Sequence, residues 1–306
     1  MKPLSASRLN DFLGCPHQAA LWLDGFKPEG EVDATLVLIR DKGFEHEASV
    51  LAQLEKLHGS AEHFNAEGSL ADRVQLTRAA IERGARLIYQ GALSEEPWLG
   101  YPDFILQTGT PEAPRFEPED AKLSRKAKGE HLLQLGIYAE LLETLFGTPV
   151  QNGAIHVAMN EPERFDLRRT RYILGRLKRS FERFVADTAR VTKPQPCAAC
   201  SQCDFKARCE DEWRKADSPF FVAGLSGAQV VKLAAAGVHT LSQLAALPPA
   251  TKIDGMGADT VAKLSAQARL QLNAAKSGQH AFELLPASRG RGFAMLPAPD
   301  DGDLFL

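Results

Sequence analysis

Asp103, Asp120 and Lys122 are the residues of this 306-residue chain whose types and spacing most suggest chemistry. Asp120 and Lys122 stand two apart in RFEPEDAKL. In an extended strand, both side chains therefore project to one face. Asp103 sits in WLGYPDFIL, where residues 100–106 are mostly apolar and predict a strand. Residues 115–123 predict a second strand, one that ends in Asp120-Ala121-Lys122 where a plain buried strand would stay apolar. Antiparallel pairing of the two across a turn at 108–114 brings Asp103 beside Asp120. Two carboxylates and one ammonium then converge at the end of a sheet, an oxygen-rich arrangement suited to a hard divalent cation. The plainer alternative is a surface strand of alternating charge.

Cysteine supplies a second chemistry. Four of the five cysteines, Cys197, Cys200, Cys203 and Cys209, fall within PCAACSQCDFKARC. Thiols this closely spaced argue for a metal, most simply a local zinc knuckle that uses all four.

The elements that must position these groups follow from pattern. Ser7 is a fair N-cap for a first helix over 5–13, and 17–23 predicts a second short helix. Residues 34–57 are helical in pattern and carry His46 between Glu45 and Glu47, two glutamates read as solvated. Ser69 caps a helix that runs to about 85, and 87–93 predicts the first strand of the sheet. The helix predicted over 132–146 sets Gln134 and Tyr138 at i and i+4 on one face. A strand pair at 154–159 and 164–169 leads to a helix over 171–188 with an apolar stripe. Arg176, Arg179 and Arg183 lie on its other side, either solvated or following a phosphate backbone. A linker at 216–219 precedes an Ala/Leu-rich helical stretch, and the tail 281–306 is punctuated by Pro and Gly.

In this order the residues resemble the RecB-like branch of the PD-(D/E)XK nucleases. There a helix His, a Gly-x-x-Asp strand, an Asp-x-Lys strand and a Gln-x-x-x-Tyr helix recur in sequence, and here Pro102-Asp103 supplies even the dipeptide of the name. The resemblance implies an α/β fold: a restriction-endonuclease-like core with a helical N-terminal part, over residues 1–215. It implies that His46, Asp103, Asp120 and the Ala121 carbonyl hold Mg²⁺ or Mn²⁺. Lys122 then orients the attacking water or stabilises the transition state, and Gln134 and Tyr138 position the scissile strand or Lys122. A Cys-x2-Cys-x5-Cys set after the core with one Cys before it resembles the iron–sulfur members, including AddB and the CRISPR adaptation exonucleases. By that resemblance Cys15, Cys200, Cys203 and Cys209 hold a [4Fe–4S] cluster that staples the two ends together, and Cys197 is spare.

Residues 216–280 resemble a helix-hairpin-helix domain. Gly255 and Gly257 in Ile253-Asp254-Gly255-Met256-Gly257 would let backbone amides approach a DNA phosphate, with Lys263 nearby. The run from Cys200 to the tail resembles a bacterial family of RecB-like nucleases. Longer members of that family continue into an RNase H-like exonuclease domain and often a helicase. By that likeness Gly302-Asp303-Leu304-Phe305 begins such a domain, and residues after about 288 are expected to be poorly ordered or weakly docked.

Composition is that of an ordinary globular protein, with 44% apolar and 25% charged residues. A net charge of −3 does not bear on nucleic-acid binding, because local patches matter more than the total. No apolar run approaches a membrane span, and MKPLSASRLNDFL lacks the apolar core of a signal peptide, so a cytoplasmic location is expected. The expectation is a divalent-metal-dependent DNA nuclease. Its rivals are a non-catalytic DNA-binding scaffold that keeps the nuclease fold within a helicase–nuclease machine, and a zinc-bound interaction module.

Overall fold

The computed structural model describes residues 2–28, 34–64, 68–110, 113–284, 290, 292–297, 300 and 302. The chain is mixed α/β and divides into two compact units, Met1–Glu210 and Asp211–Leu306.

The first unit begins with β1 (Leu4–Ser5), α1 (Ala6–Gly14) and α2 (Pro16–Leu23). Ser5, not Ser7, caps α1, its hydroxyl accepting from the Arg8 amide at 3.3 Å. Pro16 opens α2, where its missing N–H removes nothing the helix would use. There follow α3 (Ala34–His58), β2 (Glu62–His63) and α4 (Leu70–Glu82). Ser69 and Asp72 close a reciprocal capping box at the start of α4.

The strand predicted over 87–93 is broken at Gln90, whose φ of 54° no strand tolerates. It becomes β3 (Leu87–Tyr89) and β4 (Leu93–Glu95), which lie in different sheets. The strand predicted over 100–106 divides likewise, into β5 (Trp98–Gly100) and β6 (Phe104–Thr110). Asp103 therefore lies in the joint where the chain leaves one sheet for the other. After these come β7 (Ala113–Lys122), α5 (Gly129–Phe146), β8 (Asn152–Val157), β9 (Glu163–Asp166), α6 (Arg171–Ala186) and α7 (Lys206–Lys215).

The small sheet has the order β1-β5-β4, and the large one β2-β3-β6-β7-β8-β9. In the large sheet β7 runs parallel to β8 and antiparallel to β6. Side chains alternate across its faces. Leu87, Phe104 and Leu106 pack with Val50 and Leu54 of α3. Ile88, Ile105, Phe116 and Ile155 belong to a larger core with Leu135, Ile137 and Leu142 of α5 and Leu174 and Phe181 of α6. On β7 the same period of two puts Asp120 and Lys122 on the α5 face and Glu119 on the α3 face. Arg176, Arg179 and Arg183 are exposed on α6.

The second unit has its own core, built by α8 (Gly227–Ala235), α9 (Leu241–Ala245) and α10 (Ala258–Ser277) around Leu233, Leu244, Val261 and Leu264. Residues 216–219, predicted as a linker, are part of it. Ser218 and Pro219 are buried, and Asp217 accepts the Leu241 and Ser242 amides. The division between the two compact units falls at 210/211, within α7. Of the tail, Gly292–Met295 forms one 3-10 turn. The expected strand start at Gly302-Asp303-Leu304-Phe305 lies, apart from Gly302, outside the described residues. Among the described residues, no helix is long and apolar enough to cross a membrane.

Candidate functional site

The β6–β7 register, with Phe104 opposite Glu119, places Asp103 beside Asp120. Two crossed bonds fix the pair: the Asp103 amide donates to Asp120 Oδ1 at 3.1 Å, and the Ala121 amide donates to Asp103 Oδ2 at 2.8 Å. Asp120 is completely buried, and Lys122 Nζ lies 2.9 Å from its Oδ2. The ammonium is thus a close ion partner of that buried oxygen. Burial, then the charge of Asp120, pushes Asp103 well above the usual carboxylate range, with Lys122 opposing. Burial alone would lower Lys122, but Asp120 and Asp103 outweigh it and raise the ammonium's pKa. Two buried carboxyls thus share one ammonium, which leaves the site short of positive charge.

From α5, Gln134 Nε2 donates to the Tyr138 hydroxyl at 2.6 Å. Tyr138 is buried, and its pKa is driven up first by that burial and then by Asp120, with Gln134 partly offsetting both. Its ring lies against Gly100, where a Cβ would come within 2.6 Å of the ring carbons. The glycine of Gly-x-x-Asp is therefore needed for close packing, three residues before the carboxylate that the packing positions.

His46 of α3 places its Nε2 2.9 Å from the carbonyl oxygen of His156 on β8 and donates to it, which leaves Nδ1 as the ring nitrogen with a lone pair. Its neighbour Glu47 is the α3 residue whose charge acts on Asp103 and Lys122. Gln90 Nε2 donates to Glu47 Oε1 at 2.8 Å, and Glu47 also hydrogen-bonds the Tyr89 hydroxyl. Glu47 is half-buried, not solvated, whereas Glu45 is exposed and pairs with Lys42. The signal for Glu47 was its spacing from Val50 and Leu54, the residues by which α3 packs on the sheet. Across β7, Glu119 and His156 form a buried pair at 2.7 Å directly behind Asp120, with Arg164 at 3.4 Å. Strand alternation alone did not single out that pair.

All five cysteines line one cavity, between the start of α2 and the turn before α7, with Gln18, Leu21 and Phe205. Burial above all raises the thiols of Cys15, Cys200 and Cys203. Cys197 shares the cavity with the rest. It acts on Cys15, and its Sγ is 3.8 Å from Cys200 Sγ. Among the described residues, no group of three or more His, Cys, Asp or Glu is disposed to hold a metal ion.

In the second unit, Gly255 adopts φ 67°, and its carbonyl accepts from Lys232 Nζ at 2.6 Å. Gly257 is the N-cap of α10 and offers no side-chain cap, and Lys263 is exposed one turn on.

No family model matches the chain, and no curated protein does. Among solved structures, one titled "Crystal structure of SSO0001" aligns at a TM-score of 0.28 and 14% identity, over 66% of this chain and 84% of that one. A likeness at that level carries no argument about fold or function.

Proposed function

We propose that the chain is a divalent-metal-dependent deoxyribonuclease of the PD-(D/E)XK type, acting in the cytoplasm on single-stranded or end-bearing DNA. The observation that carries this reading is the crossed Asp103–Asp120 pair, with Lys122 at 2.9 Å from the fully buried Asp120 carboxylate. Hard oxygen donors fit Mg²⁺ or Mn²⁺, held by Asp103 and Asp120, with the charge of Glu47 on α3 acting on Asp103. Such an ion supplies a water of lowered pKa and charge neutralisation at phosphorus. Lys122, held by Asp120, presents its ammonium where negative charge grows on the phosphoryl oxygens. Tyr138, fixed by Gln134 and by the close packing on Gly100, supports the floor of the pocket.

Soft thiol donors fit a [4Fe–4S] cluster on Cys15, Cys200, Cys203 and Cys209, tying α2 to the approach to α7. The second unit is read as a helix-hairpin-helix module that meets DNA through Gly255, Gly257 and Lys263. The larger partner is a helicase or an RNase H-like exonuclease domain.

The test is cleavage of end-labelled and circular single-stranded DNA with Mg²⁺ or Mn²⁺ after anaerobic purification. Asp120→Asn and Lys122→Ala should each reduce the rate by about 10²-fold or more with the fold unchanged. DNA binding without cleavage by the wild-type chain would replace this reading with that of a scaffold.

A further inference from the structure

Cys197 is the thiol for which the proposed clasp has no use, yet it lines the cavity with the other four. Its Sγ is 3.8 Å from Cys200 Sγ, and its amide points at that sulfur at 3.4 Å. The two are spaced Cys-x2-Cys around a single 3-10 turn, Ala198–Gln202, with the Cys200 amide bonded back to the Cys197 carbonyl oxygen at 3.1 Å. Cys197 is exposed, whereas Cys200 is half-buried. A disulfide oxidant in solution can therefore reach the first thiol, and the second is held within a short side-chain movement of it.

We propose that Cys197 and Cys200 are a thiol–disulfide exchange site whose substrates are low-molecular-weight disulfides such as glutathione disulfide. The Cys197 thiolate attacks one sulfur of the oxidant, forming a mixed disulfide and releasing one glutathione thiolate. The Cys200 thiolate then attacks the Cys197 sulfur, which closes the protein disulfide and expels the second glutathione. Two protein thiols are oxidised, one glutathione disulfide is reduced to two thiols, and the two protons pass to solvent and the leaving thiolates. The exchange needs no metal group. Its consequence does rest on the clasp proposed above: Cys200 in a disulfide is withdrawn from the ligand set, so oxidation before loading blocks the cluster.

The experiment takes the full-length chain, stripped with a chelator under argon and equilibrated with a series of glutathione/glutathione disulfide ratios. Free thiols are alkylated, and the products are weighed and mapped. The expected product carries three alkyl groups where the fully reduced chain carries five, has a 197–200 crosslink, and reverts with excess reduced glutathione. Cys197→Ser and Cys200→Ser should each abolish the crosslink, while Cys15→Ser and Cys203→Ser should retain it. A crosslink that joins Cys15 to any partner, or a glutathione adduct on Cys197 that never resolves, overturns the proposal. So does an unchanged mass at every ratio.

Iron and sulfide content of the same variants after anaerobic reconstitution reads the clasp separately. Cluster lost in Cys15→Ser and kept in Cys197→Ser upholds the clasp. The reverse pattern overturns the clasp alone, since the disulfide is read in metal-free protein.

Discussion

Asp103 is held in a state that folding does not favour. Its burial and the neighbouring Asp120 raise its pKa, so the native protein binds its proton more tightly than the unfolded chain does. Stability from this group is complete below the ordinary carboxyl value and is lost as pH rises through the raised one. Asp103→Asn keeps an acceptor for the Ala121 amide and removes the buried charge. In the presence of a chelator, the variant should melt at a higher temperature than wild type near neutral pH. The difference should vanish below the ordinary carboxylate range, where both forms are neutral. Thermal melts across a pH series measure this, and equal melting temperatures at neutral pH would show that Lys122 already compensates the charge. A site that is more stable without its acid is what a binding site for a cation should look like.

At the scale of elements, α5 is placed by the approach of Tyr138 to Gly100 at the end of β5. A methyl group at residue 100 would sit 2.6 Å from the ring. Gly100→Ala should therefore destabilise the first unit by about 1–3 kcal/mol, the usual cost of overpacking. It should slow cleavage as well, because α5 would shift against the joint that carries Asp103. Denaturant titration reads the first effect. The steric cause has its own check: in a Tyr138→Leu background the same Gly100→Ala change should cost far less, and an undiminished cost would place the strain elsewhere.

For the whole molecule, among the described residues the core of the second unit shares no residue with the two clusters of the first. That core is built on Leu233, Leu244, Val261, Leu264 and Ala268 from the C-terminal unit alone. Leu233 is fully buried there, and Leu233→Ala should cost that unit about 2–5 kcal/mol. Calorimetry should show the second unit's transition moving down while cleavage of short single-stranded DNA at low salt stays at the wild-type rate. Loss of cleavage in parallel with that transition would make the second unit part of the catalytic machinery.

Much of this was legible in local pattern. The period of two put Asp120 and Lys122 on one face, the i, i+4 spacing paired Gln134 with Tyr138, and cap chemistry at Ser69 located α4. The cysteine spacing pointed to one thiol cluster. These are short-range regularities, set by backbone geometry over a few residues. Contacts between distant elements were not legible, because they depend on how helices and sheets pack. Only the tertiary structure set His46 Nε2 on the His156 carbonyl and brought the charge of Glu47 to bear on Asp103, since these contacts depend on how α3 packs on the sheet. It also broke both predicted strands, at Gln90 and between Gly100 and Phe104, where the chain passes from one sheet to another and leaves Asp103 in the joint. And it brought Cys197 into the cavity with Cys15, across a sequence distance that no local rule spans.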